Sequence, residues 1–97
     1  MDKLELIEEW GRERGLDKAD STHQLTKLIE EVGELATAHN KNRRDDVIDS
    51  LGDSVVVLTI YAMQNGLSLS DCIDEAYDTI KNRKGKMQNG VFVKDGD

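Results

Sequence analysis

The chain has 97 residues, the size of one small domain, and 34% of them are charged against 37% hydrophobic, so its core must be thin. Its net charge of −7 opposes binding to nucleic-acid backbones and to anionic membranes, and no apolar run is long enough to span a membrane. The single cysteine excludes an internal disulfide and a cysteine-based zinc site, so we expect any metal ion to be held by carboxylates.

The first predicted helix runs from about Asp2 to Arg14. Leu4 and Ile7 recur on one face at helical spacing, and Gly15 is a typical residue just past a helix end. Because this start is charged and periodic, it is unlike a signal peptide. Together with the free thiol, it predicts a cytoplasmic protein.

The second predicted helix starts at Ser21 or Thr22, behind Asp20 or Ser21 as N-cap, and ends near Asn40. It carries the strongest periodic signal of the chain, because its apolar residues recur at helical spacing and form a stripe along one face of the helix. The stripe consists of Leu25, Leu28, Ile29, Val32, Leu35, Ala36 and His39.

The third predicted helix runs from about Asp45 to Asn65 and is closed by Gly66. Its second half, residues 55–63, is apolar on nearly every side. A helix of this kind must be covered all round. In a chain this short, that requirement predicts burial against a second subunit.

A fourth helix is predicted to start at Ser68 or Ser70, with Ser68 and Asp71 as a capping box, and to stop before Gly85. Beyond it, the Asn89–Gly90 pair between apolar residues indicates a tight turn with a short extended arm. The expected fold is therefore an all-α, four-helix bundle with a short C-terminal arm. We expect residues 1–97 to form one domain that oligomerisation completes.

Two carboxylate clusters fall inside helices. Glu30, Glu31 and Glu34 share one side of the second helix, and Asp46, Asp49 and Asp53 share a stripe of the third. Alone, the glutamates can be an ordinary solvated face. Asp53 differs, because its stripe continues into Val57 and Ile60, so this acid at the core's edge needs a polar partner, a positive charge or a metal ion. Two glycines beside the acids, Gly33 and Gly52, predict a close approach of the two helices.

Residues 30–34 (EEVGE) are followed, after roughly fifteen residues, by residues 49–53 (DSLGD) and an apolar run. This pattern resembles the all-α nucleoside triphosphate pyrophosphohydrolases of the MazG type, whose motif is E-E-x-x-E, a spacer and E-x-x-D. Dimeric dUTPases, dCTP pyrophosphatases and phosphoribosyl-ATP pyrophosphohydrolases belong to the same superfamily. The tail resembles that of short phage-type members. The resemblance covers about residues 25–86.

The resemblance implies an oligomeric helical enzyme, a homodimer or homotetramer. It would hydrolyse a nucleoside triphosphate, expected to be a dNTP, to the monophosphate and pyrophosphate and so clean the nucleotide pool. Mg²⁺, or Mn²⁺, would be the cofactor. By motif position the metal ligands are Glu31, Glu34 and Asp53, and Glu30 is the candidate base. Ser50 stands where the motif has glutamate, and Asp49 is the candidate fourth ligand.

Cationic residues are candidates for binding the triphosphate. The dense cluster after the fourth helix contributes Lys81, Arg83 and Lys84, and Lys27 precedes Glu31 by one turn. Asn82, within this cluster, is a candidate for contact with the base or the sugar of the substrate. The alternatives are that the cluster complements the helix dipole and that Lys27 pairs with a neighbouring glutamate.

Two rival functions remain open at this point. A non-catalytic helical dimerisation module of the same fold is favoured by Ser50, and hydrolysis of phosphoribosyl-ATP is a second enzymatic alternative. Neither polymeric nucleic acid nor a membrane is an expected partner.

Overall fold

The computed structural model of the chain describes residues 1–96. Within them lie four helices and one β-hairpin, which confirms the all-α fold with a C-terminal arm. The helices are α1 (Lys3–Glu13), α2 (Ser21–Asn40), α3 (Arg44–Gln64) and α4 (Leu69–Ile80), with a 3₁₀ turn (Leu16–Lys18) between α1 and α2. The hairpin strands are β1 (Gly85–Gln88) and β2 (Val91–Lys94).

Side-chain caps set the starts of three helices at the predicted residues. Asp2 forms a complete capping box at α1, and the Asp20 carboxylate accepts the backbone N–H of the second residue of α2 at 2.7 Å. At α4, the Ser68 hydroxyl accepts the Asp71 N–H, but only this half of the predicted capping box forms. Each bond satisfies a backbone donor that has no partner within its helix.

Residues with positive φ mark where the chain turns. Gly15 (φ 72°) and Gly66 (φ 70°) follow the ends of α1 and α3, as predicted for glycines that close a helix. Asn89 (φ 52°) and Gly90 (φ 79°) form the two-residue turn of the hairpin, with Gln88 opposite Val91. Left-handed backbone at both positions is what a type I′ turn requires.

The core centres on α3. Helix α2 packs along it and α1 packs across it. A Cβ atom on Gly11 of α1 would lie 2.6 Å from Cδ1 of Ile60, so the absence of a side chain permits this crossing. The Gln64 side chain donates a 2.9 Å bond to the Leu16 carbonyl, which ties α3 to the 3₁₀ turn.

The buried apolar side chains are few. In the described part of the chain they are Ala38, Val57, Ile60 and Ala62. Much of the predicted stripe of α2 remains open, since Ile29 is 69% exposed and Val32 is 53% exposed. Residues 55–63 of α3 are covered on one side, but Val55 is exposed. A single chain therefore covers the apolar faces of α2 and α3 only in part.

Helix α4 and the hairpin project from the other helices. Every described residue from 71 to 96 is exposed, and the hairpin packs closely against none of the four helices. The radius of gyration is 16.3 Å, whereas a compact chain of this length has about 12.5 Å. None of the described helices combines the length and apolar character that crossing a bilayer demands.

Candidate active site

The acidic faces of α2 and α3 meet at an open groove of about 750 Å³, here called the acidic groove. Five carboxylates line it, two from α2 and three from α3. The full lining is Glu30, Gly33, Glu34, Thr37, Ala38, Arg43, Asp46, Asp49, Ser50 and Asp53. The structure thus brings together carboxylates from both halves of the sequence motif.

A short connection places the two acidic faces side by side. Only three residues separate α2 from α3. Asn42 takes a left-handed conformation (φ 56°), and the Arg43 N–H donates to the Ala38 carbonyl at 2.9 Å, which reverses the chain. Ala38 and Ser50 are buried and small, so they leave room for the groove between the helices.

Glu31 is the carboxylate of the two motif halves that the fold partly buries. Its Oε2 atom is inaccessible to water and has no hydrogen-bond partner among the described residues. Partial burial raises the pKa of Glu31 above its ordinary value, and the negative charges of Glu34 and Asp53 raise it further, against the opposing charge of Lys27. Asp53, predicted at the core's edge, is exposed on the groove one turn before the buried Val57.

The donors around Glu31 suit a hard divalent cation, because all of them are carboxylate oxygens. A buried carboxylate oxygen without a partner is costly unless it is protonated or meets a cation, so the site fits Mg²⁺ or Mn²⁺ chemically. In residues 1–96, however, no three His, Cys, Asp or Glu side chains converge closely enough to hold an ion. Repulsion between like charges opposes such convergence, so coordination would require side-chain rotations on helices already in position.

Asp49 and Ser50, where the chain departs from the motif, both line the acidic groove but differ in exposure. Ser50 is only 5% exposed, and Asp49 is exposed to solvent. The Ser50 carbonyl also accepts the Ser54 hydroxyl at 2.7 Å. Ser50 is thus part of the packing between α2 and α3, and Asp49 supplies an exposed carboxylate one residue earlier.

The predicted close approach of helices at Gly33 and Gly52 was wrong. A Cβ atom added at either glycine would meet nothing within 4 Å. Gly33 instead lines the acidic groove, where the missing side chain widens the space. Sequence alone could not tell this open position from a packed one.

The basic candidates lie apart from the acidic groove. Asn82, Arg83 and Lys84 line a second groove of about 400 Å³ at the base of the hairpin, here called the basic groove. Lys81 is bound to Asp78 at 3.0 Å. Lys27 forms no ion pair within the described residues, so the predicted alternative of a pair with a neighbouring glutamate is not formed.

Sequence reasoning missed three residues of the acidic groove. Among its described lining residues, Arg43 alone is cationic. Asp46 belongs to the predicted aspartate stripe but was not assigned to the site, and Thr37 follows Glu34 by one helical turn. The available signal for Asp46 was its place in the aspartate stripe, and for Thr37 it was the spacing of one helical turn from Glu34. Arg43 lies in a polar run whose direction only the fold determines.

Comparison of the sequence with known proteins shows the family to which the chain belongs. The chain is 48% identical over 61 residues to an uncharacterized 18.2 kDa protein from the rep–hol intergenic region of Haemophilus phage HP1 (strain HP1c1). The aligned part is 61% of this chain and 37% of the phage protein, so the chain spans just over a third of that relative. No solved structure matches the chain significantly. The profile of the MazG nucleotide pyrophosphohydrolase domain matches residues 20–88, which include all of α2 and α3. The chain therefore belongs to the MazG nucleotide pyrophosphohydrolase family.

Proposed function

We propose that the protein hydrolyses a nucleoside triphosphate, a dNTP, between the α and β phosphorus atoms to give the monophosphate and pyrophosphate. Its role would be cleaning of the nucleotide pool. The observation that carries the proposal is the acidic groove, where carboxylates of both family motif halves lie together. Its volume of about 750 Å³ is within the range of small-molecule sites.

In this proposal Glu31, Glu34 and Asp53 hold Mg²⁺, and Asp49 is the fourth ligand in place of the glutamate absent at Ser50. The chemistry that Mg²⁺ supplies in such a site is neutralisation of phosphate charge and a lowered pKa of the attacking water. Glu30 is exposed on the groove and is the residue that orients this water and accepts its proton. Glu31 does not line the groove itself and contributes the partly buried carboxylate of this set.

Cationic side chains complete the binding of the triphosphate, because one divalent ion leaves much of its charge uncompensated. The residues proposed for this role are Lys27, Lys81, Arg83 and Lys84, and the neutral Asn82 is proposed to contact the base or the sugar. Lys27 is free of ion pairs within residues 1–96 and lies one turn from Glu31, which supports its part in this set.

We also propose that the protein is a homo-oligomer, a dimer or a tetramer. The exposed apolar side chains of α2 and of α3 support this, because they form faces that a soluble monomer would leave uncovered. A non-catalytic module of the same fold is the second candidate function. The observation that favours it is the buried Ser50 at the position of a motif carboxylate.

Pyrophosphate release from a panel of nucleotides, with and without Mg²⁺, tests the function. We expect Mg²⁺-dependent release from at least one nucleoside triphosphate, and the panel also identifies the preferred base and sugar. Phosphoribosyl-ATP belongs in the panel, since preferential cleavage of it would replace the dNTP in the proposal. A wild-type protein inactive on every member would favour the non-catalytic module.

Two neutral variants test the assigned ligands. Glu34→Gln and Asp53→Asn each remove one ligand charge without changing the shape of the side chain, so we expect activity to fall by about 10²-fold or more. Glu13→Gln, at an exposed position of α1 that does not line the groove, is the matched control and should keep wild-type activity. If the Glu34→Gln or the Asp53→Asn protein kept most of its kcat, the substituted residue would not be a metal ligand.

A further inference from the structure

The acidic groove is not equally acidic along its length. Because α2 runs towards the α2–α3 turn and α3 runs away from it, residues late in α2 and early in α3 lie at one end of the groove, here called the turn end. The rest of the groove carries four carboxylates and no cation, and these acids are Glu30, Glu34, Asp49 and Asp53. The turn end carries one carboxylate, that of Asp46, and the guanidinium of Arg43. The electrostatic repulsion of an anion is therefore weakest at the turn end.

The backbone of Arg43 is held in place, whereas its side chain is not. The Arg43 N–H donates to the Ala38 carbonyl at 2.9 Å, and the Arg43 carbonyl accepts the Val47 N–H at 3.0 Å. The side chain is exposed and forms no ion pair within residues 1–96, although Asp46 lies one helical turn further along α3. A fixed backbone with an unpaired guanidinium leaves this charge available to a ligand in the groove.

Of the two neighbouring arginines at the turn, Arg43 lines the acidic groove and Arg44 does not. Arg43 also lines a smaller cavity of about 270 Å³ beside Ala38, and this smaller cavity is the one that Arg44 lines. Both side chains are exposed and carry the same charge. Arg44 is therefore a natural control for the position of Arg43, because the two residues differ in which cavity they reach.

A nucleoside triphosphate carries its charge unevenly. Its terminal phosphate has a second pKa near 6 and so carries nearly two negative charges at neutral pH, whereas each internal phosphate carries one. In the proposed function the α-phosphorus reacts at the metal ligands Glu34 and Asp53, away from the turn end. The four carboxylates there repel the terminal phosphate, and Arg43 attracts it. The phosphate chain would therefore run from the metal ligands towards the turn end.

From these observations we propose that Arg43 binds the γ-phosphate of the substrate and so makes the protein prefer nucleoside triphosphates to diphosphates. The proposal rests on the proposed function and deepens it, because it names the residue that distinguishes the length of the phosphate chain. Arginine suits this role, since its planar guanidinium donates two parallel hydrogen bonds to phosphate oxygens. A diphosphate bound with its α-phosphorus at the same ligands would not reach this contact.

The ratio of kcat/KM for a dNTP to kcat/KM for the matching dNDP measures the preference. Each of the four canonical dNTPs is compared with its dNDP, and the pair that is cleaved fastest is used for the variants. Arg43→Gln should lower kcat/KM for the triphosphate by about 10- to 100-fold, mainly through KM, because a charged hydrogen-bond partner is lost. For the diphosphate we expect a change of less than about threefold, since it lacks the phosphate that Arg43 binds.

Two further variants define the cause of the effect. Arg43→Lys should recover part of the loss on the triphosphate, because lysine restores the charge but not the paired hydrogen bonds. Arg44→Gln, which removes the neighbouring charge outside the acidic groove, should keep the wild-type ratio. All three variants should keep the wild-type Tm, since neither side chain has an ion-pair partner within residues 1–96. An equal loss on triphosphate and diphosphate in Arg43→Gln, or no loss on either, would overturn the proposal.

Binding of uncleavable nucleotides provides a readout independent of activity. The probes are the four canonical dNTPs and dNDPs with a methylene group between the α and β phosphorus atoms, titrated calorimetrically in the presence of Mg²⁺. The wild type should bind a triphosphate analogue more tightly than its diphosphate counterpart, and Arg43→Gln should lose most of this difference. A difference that persists in Arg43→Gln would overturn the proposal. A wild type that shows the expected binding but cleaves no nucleotide would reject the proposed hydrolysis and leave the role of Arg43 supported, whereas a wild type that binds no analogue would reject both.

Discussion

Glu31 combines partial burial with two negative neighbours, so its charge opposes folding at neutral pH. Its pKa is raised above the ordinary 4.5, so the folded state binds the proton more tightly than the unfolded state does. The unfavourable effect is therefore fully present above the raised folded pKa. It disappears as the pH falls through that pKa towards 4.5.

The variant Glu31→Gln isolates this effect, because it keeps the shape of the side chain and removes the charge. Without divalent ions, we expect its Tm at pH 7 to exceed that of the wild type, with a gap that closes as the pH approaches 4.5. Thermal melts across this range in a chelating buffer measure the gap. Glu30→Gln, on an exposed neighbour, is the control. A Glu31→Gln protein less stable than wild type at pH 7 would mean that the charge of Glu31 does not oppose folding.

The same variant also tests the metal site by ligand linkage. Millimolar Mg²⁺ or Mn²⁺ should raise the Tm of the wild type, because an ion that binds only the folded state stabilises it. In Glu31→Gln this rise should be much smaller, since one ligand charge is missing. An equal rise in both proteins would place the ion elsewhere.

Substitutions of the adjacent residues Asp49 and Ser50 are expected to differ strongly in their effect on activity. If Asp49 is the fourth ligand, Asp49→Ala should lower kcat by about 10²-fold or more, comparably to Asp53→Ala. Ser50→Ala removes a buried hydroxyl whose packing role alanine can fill, so it should cost far less activity. Steady-state kinetics of the three variants measures this. A near-normal kcat for Asp49→Ala would leave Asp49 as a solvated acid on the groove.

At the scale of the helices, local chemistry explains why the boundaries could be predicted. The N-caps at Asp2, Asp20 and Ser68 and the glycines after α1 and α3 act within a few residues, so the sequence contains the whole interaction. The two motif halves could be placed on facing helices for the same reason. Long, strongly periodic segments joined by a short turn have few other ways to pack.

What the sequence could not predict depends on distances between elements. Gly33 and Gly11 are both glycines inside amphipathic helices, yet only Gly11 lies against another helix. The partial burial of Glu31, the exposure of Asp53 and the position of Arg43 in the groove depend on the angle at which α2 packs against α3. That angle is set by packing of several side chains at once, which no local pattern records.

The two glycines give a matched prediction. Gly11→Ala should destabilise the protein by about 1–3 kcal/mol, because its Cβ would lie 2.6 Å from the fully buried Ile60. Gly33→Ala meets no atom within 4 Å and gains helix propensity, so it should stabilise the chain by up to about 1 kcal/mol. Chemical denaturation measures both.

For Gly33→Ala, measurements of activity distinguish the effect on substrate binding from the effect on stability. Gly33 lines the acidic groove, so Gly33→Ala should narrow the space for the nucleotide and raise KM although the fold is more stable. An unchanged KM of the Gly33→Ala protein would mean that the groove at Gly33 is not part of the substrate site.

At the scale of the whole molecule, the core is too small for a chain of this length. Four apolar side chains are buried in the described residues, and each contributes at most about 3 kcal/mol. The accessible area of the chain is 7462 Å², whereas a folded monomer of 10.9 kDa has about 5,600 Å². The small core, this excess exposed area, the projecting α4 and the extended radius of gyration all support the proposal that a second copy covers the remaining apolar surface.

Self-association is therefore the prediction that belongs to this scale. Sedimentation at micromolar concentration should give a species of at least twice 10.9 kDa, and dilution should lower the Tm because folding and assembly are coupled. Val55→Asp, at an exposed apolar position of α3, should shift the protein towards unfolded monomer. The control Glu13→Gln should sediment as the wild type does. A stable, cooperatively folded monomer of 10.9 kDa would contradict the prediction, because its exposed apolar faces would then need no partner.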